Sequence, residues 1–234
     1  MRNLGIATIT ILPSLLLWWH IYKKRTEHCT TMFIIIAFLL ECMVIFRILE
    51  CPYLLPDNPF KNGTWLYHFY QTLDKALLEE FWAKFIVLHV IITIGCSNTI
   101  SKYNIIVIIV TIASTFSLIE NMLYVFDEDY QGNRLILAIV RIFCAVGHCS
   151  YAQVMGWFYG KARQEVARIN RRRAVLYLAC SIVIPTLMHT TANLLTKVFK
   201  LGIMGMAIWA GYKTLCLLLG LRLAKLALKE IEMC

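Results

Sequence analysis

The sequence contains apolar blocks, each roughly 20 residues long, that are separated by short polar or charged segments. A helix rises about 1.5 Å per residue, so a block of this length crosses the roughly 30 Å hydrocarbon core of a bilayer. Hydrophobic residues make up 59% of the chain and charged residues only 16%, whereas a soluble domain of this length carries more charge. The blocks therefore predict an all-α protein, a polytopic transmembrane helix bundle.

We expect about seven spans in a single domain that covers residues 1–234. An interfacial helix is predicted at 65–73, because aromatic residues cluster there as they do at bilayer surfaces. The predicted spans are 4–22, 30–49, 76–96, 104–126, 134–159, 174–196 and 201–221.

The charges of the loops predict the orientation of the bundle. Six of the thirteen residues at 161–173 are Lys or Arg, whereas segment 127–130 is acidic. Basic loops stay on the cytoplasmic side of a membrane, which favours an N-terminus outside and a C-terminus inside. The net charge of +9 then reflects the basic loops between the spans of a protein embedded in the lipid bilayer, and we expect no nucleic-acid partner.

Four of the predicted spans carry polar groups, although a charged side chain inside a bilayer costs at least about 2–3 kcal/mol. These groups are Glu79, Glu80 and Lys84 in the third span, Glu120 in the fourth, Arg141 and His148 in the fifth, and His189 and Asn193 in the sixth. With the N-terminus outside, they all lie between the outer surface and the middle of the bilayer. Polar residues with unrelated structural roles would not be expected to lie at the same depth of the bilayer. We therefore expect the four helices to bring these groups together.

The spacing of these residues indicates what they can do. Glu80 and Lys84 are four residues apart and can form an ion pair on one helix face, while Glu79 lies about 100° further around the helix. His189 and Asn193, also four residues apart, offer two hydrogen-bond donors a turn apart. A glutamate that faces such donors has the layout of a general base opposite an oxyanion site. Each group alone could instead be an interfacial ion pair or a hydrogen bond between helices.

These residues resemble the motifs of the PrsW family of intramembrane proteases, which is similar to the type II CAAX prenyl endopeptidases and bacteriocin-processing proteins. The resemblance covers residues 65–196. Its motifs, in order along the chain, are Glu79-Glu80-x-x-x-Lys84, Phe116-x-x-x-Glu120-Asn121, Arg141 through Gly147-His148, and His189-x-x-x-Asn193.

The resemblance implies an endopeptidase in the cell membrane that cleaves single-span membrane proteins. Regulated intramembrane proteolysis of an anti-sigma factor is the reaction that the bacterial members suggest. The implied catalytic roles are water activation by Glu79, orientation by Glu80 and Lys84, an oxyanion site at His189 and Asn193, and binding of water or leaving group by His148. Glu120 stands where the CAAX relatives have histidine, and Phe116, Asn121 and Arg141 are candidates for substrate binding.

The use of a metal is left open by the residues. The sequence lacks the H-E-x-x-H spacing of zinc peptidases, and most of the nine cysteines lie in apolar blocks without a C-x-x-C pair. We expect a glutamate-activated water without any cofactor. Zinc is the alternative, and its candidate ligands are Glu79, Glu120, His148 and His189.

Two other functions compete with proteolysis. The chain could be a catalytically silent scaffold of the same fold, or a proton-coupled transporter that uses the acidic residues as a relay.

Two charged residues lie outside these motifs but near the middle of predicted spans. Glu41 is in the second span and Lys213 in the seventh, and an isolated charge at this depth usually finds a partner. We therefore predict that Glu41 and Lys213 approach each other or share a polar cavity, and in this way hold these two spans together.

Overall fold

The structure is a computed structural model that describes residues 2–24, 30–50, 54–95, 100–127, 132–198 and 202–232. These residues are almost entirely helical, and no strand occurs among them. The helices are α1 (Arg2–Tyr22), α2 (Thr30–Glu50), α3 (Trp65–Leu77), a π-helical segment (Leu78–Ile86), α4 (Val87–Gly95), α5 (Lys102–Phe126), α6 (Arg134–Ala167), α7 (Arg171–Val198) and α8 (Ile203–Glu232).

Four of the described helices, α5 to α8, are long and apolar enough to cross a membrane. Helices α1 and α2 contribute shorter apolar stretches, Thr8–Tyr22 and Phe33–Ile45. The all-α, membrane-spanning class is therefore confirmed. The count of seven spans and their orientation stay predictions.

Helices α5 and α6 form the centre of the bundle. Most of the first four turns of α5 are buried. Gly156 allows α6 to approach closely, because a Cβ at this position would lie 2.8 Å from the Ile109 side chain and 3.1 Å from the Ile106 Cα. Small residues permit such contacts between membrane helices, and Gly156-x-x-x-Gly160 has the spacing that favours them.

The other helices pack around this central pair. Helix α1 contacts both α5 and α6, α2 lies against α5, and α7 and α8 lie against α6. Two hydrogen bonds hold α1 in place, since Trp18 Nε1 donates to Thr111 Oγ1 at 2.8 Å and the buried Tyr103 hydroxyl donates to the Ile21 carbonyl at 2.7 Å.

The predicted interfacial helix and the third span form one continuous helical run through α3, the π-helical segment and α4. Thr64 caps its start by accepting a hydrogen bond from the Tyr67 amide. The preceding loop is tied to α3, because Asp74 Oδ1 accepts from the amides of Leu54 and Leu55 at 3.0 and 2.7 Å. This run lies against α7 and α2 and carries the first group of polar residues into the bundle.

The predicted pairing of Glu41 with Lys213 is wrong. Both side chains are buried, but the Glu41 oxygens have no hydrogen-bond partner among the described residues. Lys213 lies instead over the rings of Tyr151 and Trp209. The reason is the packing order, since α2 lies on the α5 side of the bundle and α8 on the α6 side.

The predicted orientation can be tested at two exposed positions. Arg168 lies between α6 and α7, and Lys61 lies in the loop before α3. In a cysteine-free version of the chain, we expect a membrane-impermeant maleimide to label Lys61→Cys in intact cells. Arg168→Cys should be labelled only after permeabilisation. Labelling of Arg168→Cys from outside intact cells would contradict the orientation.

Candidate active site

The centre of the site is the buried carboxylate of Glu80. Its Oε1 atom forms an ion pair with Lys84, one turn along the same helix, as the spacing predicts. The same oxygen lies 3.0 Å from His189 Nδ1 of α7, and Lys84 Nζ lies 3.0 Å from His148 Nδ1 of α6. All four side chains are at most 4% exposed. One carboxylate and one ammonium therefore join three helical elements below the surface of the protein.

Glu79 reaches the same histidine from the neighbouring position. Its Oε2 atom lies 3.7 Å from His189 Nε2 and has no hydrogen-bond partner among the described residues. Its Oε1 atom lies 3.9 Å from Lys75 Nζ. Both carboxylates therefore lie against His189, in the widened turn of the π-helical segment.

Glu120 connects a second group of polar residues to the first. Its Oε2 atom lies 3.2 Å from His148 Nε2 and 2.5 Å from Arg141 Nη2. Arg141 is fixed further, because its Nε donates to Asn121 Oδ1 at 2.7 Å and its guanidinium lies 4.3 Å from the centre of the Tyr124 ring. The charge of Glu120 is therefore balanced by Arg141, and Glu120 orients His148.

A cavity of about 300 Å³ adjoins these groups. Its polar and charged lining consists of Gln71, Thr72, Lys75, Glu79, Glu120, Tyr124, Arg141, His148, His189, Asn193, Thr196 and Lys213. Lys75 is half-exposed, which indicates where the cavity reaches the surface. Asn193 lies one turn beyond His189 on α7 and faces this space.

Two of the predicted substrate-binding residues lie behind the cavity instead of lining it. Phe116 is buried and packs edge-on against the His148 ring, with the ring centres 5.1 Å apart. Asn121 is fully buried, and its amide donates to the Thr10 carbonyl at 3.2 Å. Arg141 does line the cavity. In this structure Phe116 and Asn121 support the site residues from behind.

Two features of the site were missed by sequence reasoning. The first is the π-helical segment, in which the backbone hydrogen bonds skip one more residue than in an α-helix and which often marks functional sites. The second is Tyr151, whose ring stacks on His189 with the ring centres 5.4 Å apart. Tyr151 follows His148 by three residues, which places both on one face of α6, and this spacing was the available signal.

Three of the four predicted metal-ligand candidates lie together. Glu79, His148 and His189 each offer a ligand atom within 4.8 Å of the others, and all three are buried. Nitrogen and carboxylate oxygen are suitable ligands for zinc. The Nδ1–H of His189 points to Glu80, and such a carboxylate partner is typical of histidines that bind a metal through Nε2. Glu120 lies next to this group as the partner of His148 and Arg141.

A helical protein with membrane-capable helices and buried ionisable groups around a cavity has the architecture of a membrane-embedded enzyme. The family model that matches the chain, over residues 25–219, describes the PrsW family of intramembrane metalloproteases. Because the match covers most of the sequence, the chain belongs to the PrsW family and is a multi-pass membrane protein. A search of curated proteins and a search of solved structures each gave no match.

The largely buried pair of Glu120 and Arg141 gives a prediction about stability. Arg141→Met leaves the Glu120 carboxylate, whose side chain is only 15% exposed, without its cation, and we expect it to destabilise the protein by about 3 kcal/mol or more. Adding Glu120→Gln to Arg141→Met should restore part of the loss, because the two groups are coupled. Thermal unfolding in detergent measures both effects.

Lys161→Met is the matched control for this experiment. Lys161 also pairs with a glutamate, Glu230, at 3.7 Å, but both side chains are about one-third exposed, and Glu230 keeps its ion pair with Lys102. Such partly exposed pairs contribute little, so this variant should unfold close to the wild-type temperature. Strictly additive losses for Arg141→Met and Glu120→Gln would show that the pair does not act as a unit.

Proposed function

We propose that the chain is an endopeptidase of the cell membrane that hydrolyses a peptide bond in single-span membrane proteins, with Glu79 as the general base. Membership of the PrsW family supports membrane proteolysis. The observation that carries the catalytic assignment is the Glu79 oxygen that lies 3.7 Å from His189 Nε2 and has no hydrogen-bond partner among the described residues.

The hydrogen bonds around His189 explain why that contact matters. Glu80 is paired with Lys84 and is therefore ionised, so it can only accept the hydrogen bond from His189 Nδ1. In neutral His189 the Nε2 atom then carries a lone pair, which faces the carboxylate of Glu79. Two acceptors that face each other are satisfied by a group that donates to both, such as a water molecule.

A water in this position has the contacts that the reaction needs. Glu79 accepts one of its protons while the oxygen attacks the substrate carbonyl, and His189 holds it through the other. Glu79 then returns the proton to the leaving amine. Asn193, which faces the cavity one turn away, is positioned to donate a hydrogen bond to the oxyanion.

The remaining residues hold the two catalytic groups in position. Lys84 is an ammonium and can only donate, so His148 Nδ1 accepts its hydrogen bond and Nε2–H donates to Glu120. His148 is thus fixed in one tautomer beside His189, with the ring centres 4.9 Å apart. Arg141 keeps Glu120 ionised, which maintains this orientation.

The family description also implies a metal, and the donor types and spacing of Glu79, His148 and His189 fit zinc. Glu79 and His189 can bind it through the atoms described above. His148 would first have to exchange a proton, because both of its nitrogens are engaged by Lys84 and Glu120. When bound at such a site, zinc lowers the pKa of its water and polarises the substrate carbonyl. Water activation by Glu79 alone stays our prediction, and zinc is the alternative.

A protease acting on a single-span protein needs access from the bilayer side and from the surface. The cavity reaches the half-exposed Lys75 at the end of α3, next to the predicted interface. An anti-sigma factor is one substrate of the expected kind. A scaffold without activity and a proton-coupled transporter are the alternatives, and they are separated from a protease by the measurement below.

Glu79→Gln tests the base directly. Glutamine keeps the shape of the side chain but cannot accept the proton, so hydrolysis should fall about 100-fold or more. The measurement is cleavage of a fluorogenic single-span peptide by the purified chain in nanodiscs, together with its unfolding temperature. The unfolding temperature should stay close to wild type.

Glu232→Gln is the matched control, because Glu232 is exposed at the end of α8 and far along the chain from the site. It should leave hydrolysis unchanged. A Glu79→Gln enzyme that cleaves at the wild-type rate would remove Glu79 as the base. Absence of cleavage by the wild-type chain, combined with proton-coupled uptake into vesicles, would favour the transporter.

The metal alternative has its own measurement. If Glu79 acts on water alone, hydrolysis should survive exhaustive chelation, and the purified chain should contain no stoichiometric zinc by mass spectrometry. If chelation abolishes hydrolysis and zinc restores it, the metal mechanism is correct. In that case His189→Ala should lower the amount of bound zinc per chain, because it removes the Nε2 lone pair that would bind the metal.

A further inference from the structure

Lys213 of α8 lies in the wall of the active-site cavity, and the proposed chemistry does not use it. Its side chain is only 2% exposed, and the cavity beside Glu79, His148 and His189 is the space that it lines. Its ammonium lies 5.0 Å from the centre of the Tyr151 ring and 5.6 Å from that of Trp209.

The three cations of the cavity differ in how they are neutralised. Arg141 is paired with Glu120 at 2.5 Å. Lys75 lies 3.9 Å from Glu79 and 3.3 Å from the Tyr124 hydroxyl, and its side chain is half-exposed to solvent. Within the described part of the chain, Lys213 has neither an ion pair nor a hydrogen bond, and aromatic faces replace only part of the hydration that its charge loses.

The neighbouring helix leaves room for this arrangement. A Cβ at Gly147 would lie 2.5 Å from Lys213 Nζ and 3.0 Å from its Cδ. The lysine therefore passes directly over the α6 backbone, next to His148, and glycine is the residue that allows it. A larger side chain at this position would displace the ammonium from the cavity wall.

Lys213 is also close to the catalytic residues. Tyr151 lies between them, since its ring is 5.0 Å from the ammonium and stacks on His189 at 5.4 Å. The ammonium thus lies at most about 10 Å from the His189 ring, the length of roughly three extended residues. A group bound by Lys213 would belong to the part of a substrate next to the cleaved bond.

We propose that Lys213 forms a carboxylate-binding subsite of the cavity, which selects substrates that carry a carboxylate within about three residues of the cleaved bond. This inference rests on the proposed protease function. The carboxylate comes from an Asp or Glu side chain or from a chain terminus, both of which present the same group to the ammonium.

The test uses the full chain in nanodiscs and a set of fluorogenic single-span peptides. In each peptide one Glu occupies one of six successive positions around the cleaved bond, and a matched peptide carries Gln there. A third set ends at the same position with either a free carboxylate or an amide. Cleavage gives kcat/KM, and binding of the same peptides to the Glu79→Gln chain gives Kd without turnover.

We expect the wild type to prefer the carboxylate over its amide by about tenfold or more at one position, in kcat/KM and in Kd. Lys213→Met should abolish the preference and leave the amide peptides unaffected, while Lys213→Arg should keep it. Gly147→Ala should weaken it by moving the ammonium. The control is Lys225→Met, an exposed lysine of the same helix, which should behave as wild type.

Each outcome decides the proposal. A preference for Glu peptides assigns the subsite to an acidic side chain, and a preference confined to the free terminus assigns it to a chain end. No carboxylate preference in cleavage or in binding, or a preference that survives Lys213→Met, overturns the subsite. Cleavage without preference leaves the protease function standing, whereas preferential binding without any wild-type cleavage overturns the protease and keeps the subsite.

Discussion

The buried carboxylate of Glu80 holds the site together. An ionised carboxylate inside a bundle of apolar helices is costly unless its charge is paired and its oxygens accept hydrogen bonds. Lys84 supplies the charge from the same helical segment, and His189 supplies a donor from α7 at 3.0 Å. Because Lys84 also donates to His148 of α6, removal of either partner would leave a buried charge and would disorient both histidines.

This pairing also fixes which atoms remain available for chemistry. Glu80 is hydrogen-bonded to Nδ1 of His189, and Lys84 is hydrogen-bonded to Nδ1 of His148. Glu120 engages the second nitrogen of His148, Nε2. Among the described residues, His189 Nε2 and the nearby oxygen of Glu79 then face each other, and Glu80 Oε2 is a further buried oxygen without a hydrogen-bond partner. The hydrogen bonds that orient the histidines therefore leave a place for a water molecule or a metal ion between His189 and Glu79, next to a cavity of about 300 Å³.

Much of this arrangement follows from the sequence. Charged groups are so costly in a bilayer that Glu79, Glu120, His148 and His189 had to share an environment, and the i, i+4 spacing gave the ion pair of Glu80. What could not be predicted depends on which helices are neighbours. Depth along a span can be counted from the sequence, but the side of the bundle on which a helix packs cannot.

The prediction for Glu41 and Lys213 was wrong for this reason, because it rested only on the similar depth of the two residues in the bilayer. In the structure the two residues belong to helices on different sides of α5 and α6, so they do not form a pair. Lys213 lies over aromatic rings beside the cavity, while Glu41 is buried with no hydrogen-bond partner among the described residues. The π-helical segment was missed for a related reason, since each of its backbone hydrogen bonds spans only one residue more than in an α-helix.

The wider turns of this segment set the rotational phase between α3 and α4 in the helical run at 65–95. In an α-helix each residue advances the direction of the side chains by about 100°, and each residue of a wider turn advances it by less, so the nine residues of the segment rotate everything that follows. The amphipathic α3 can thus keep one orientation at the surface while α4 keeps another against α5 and α2. Losing one of the residues 81–83 would turn the two halves out of phase, and the acidic residues and α4 would no longer both keep their contacts although no residue of the site had been removed.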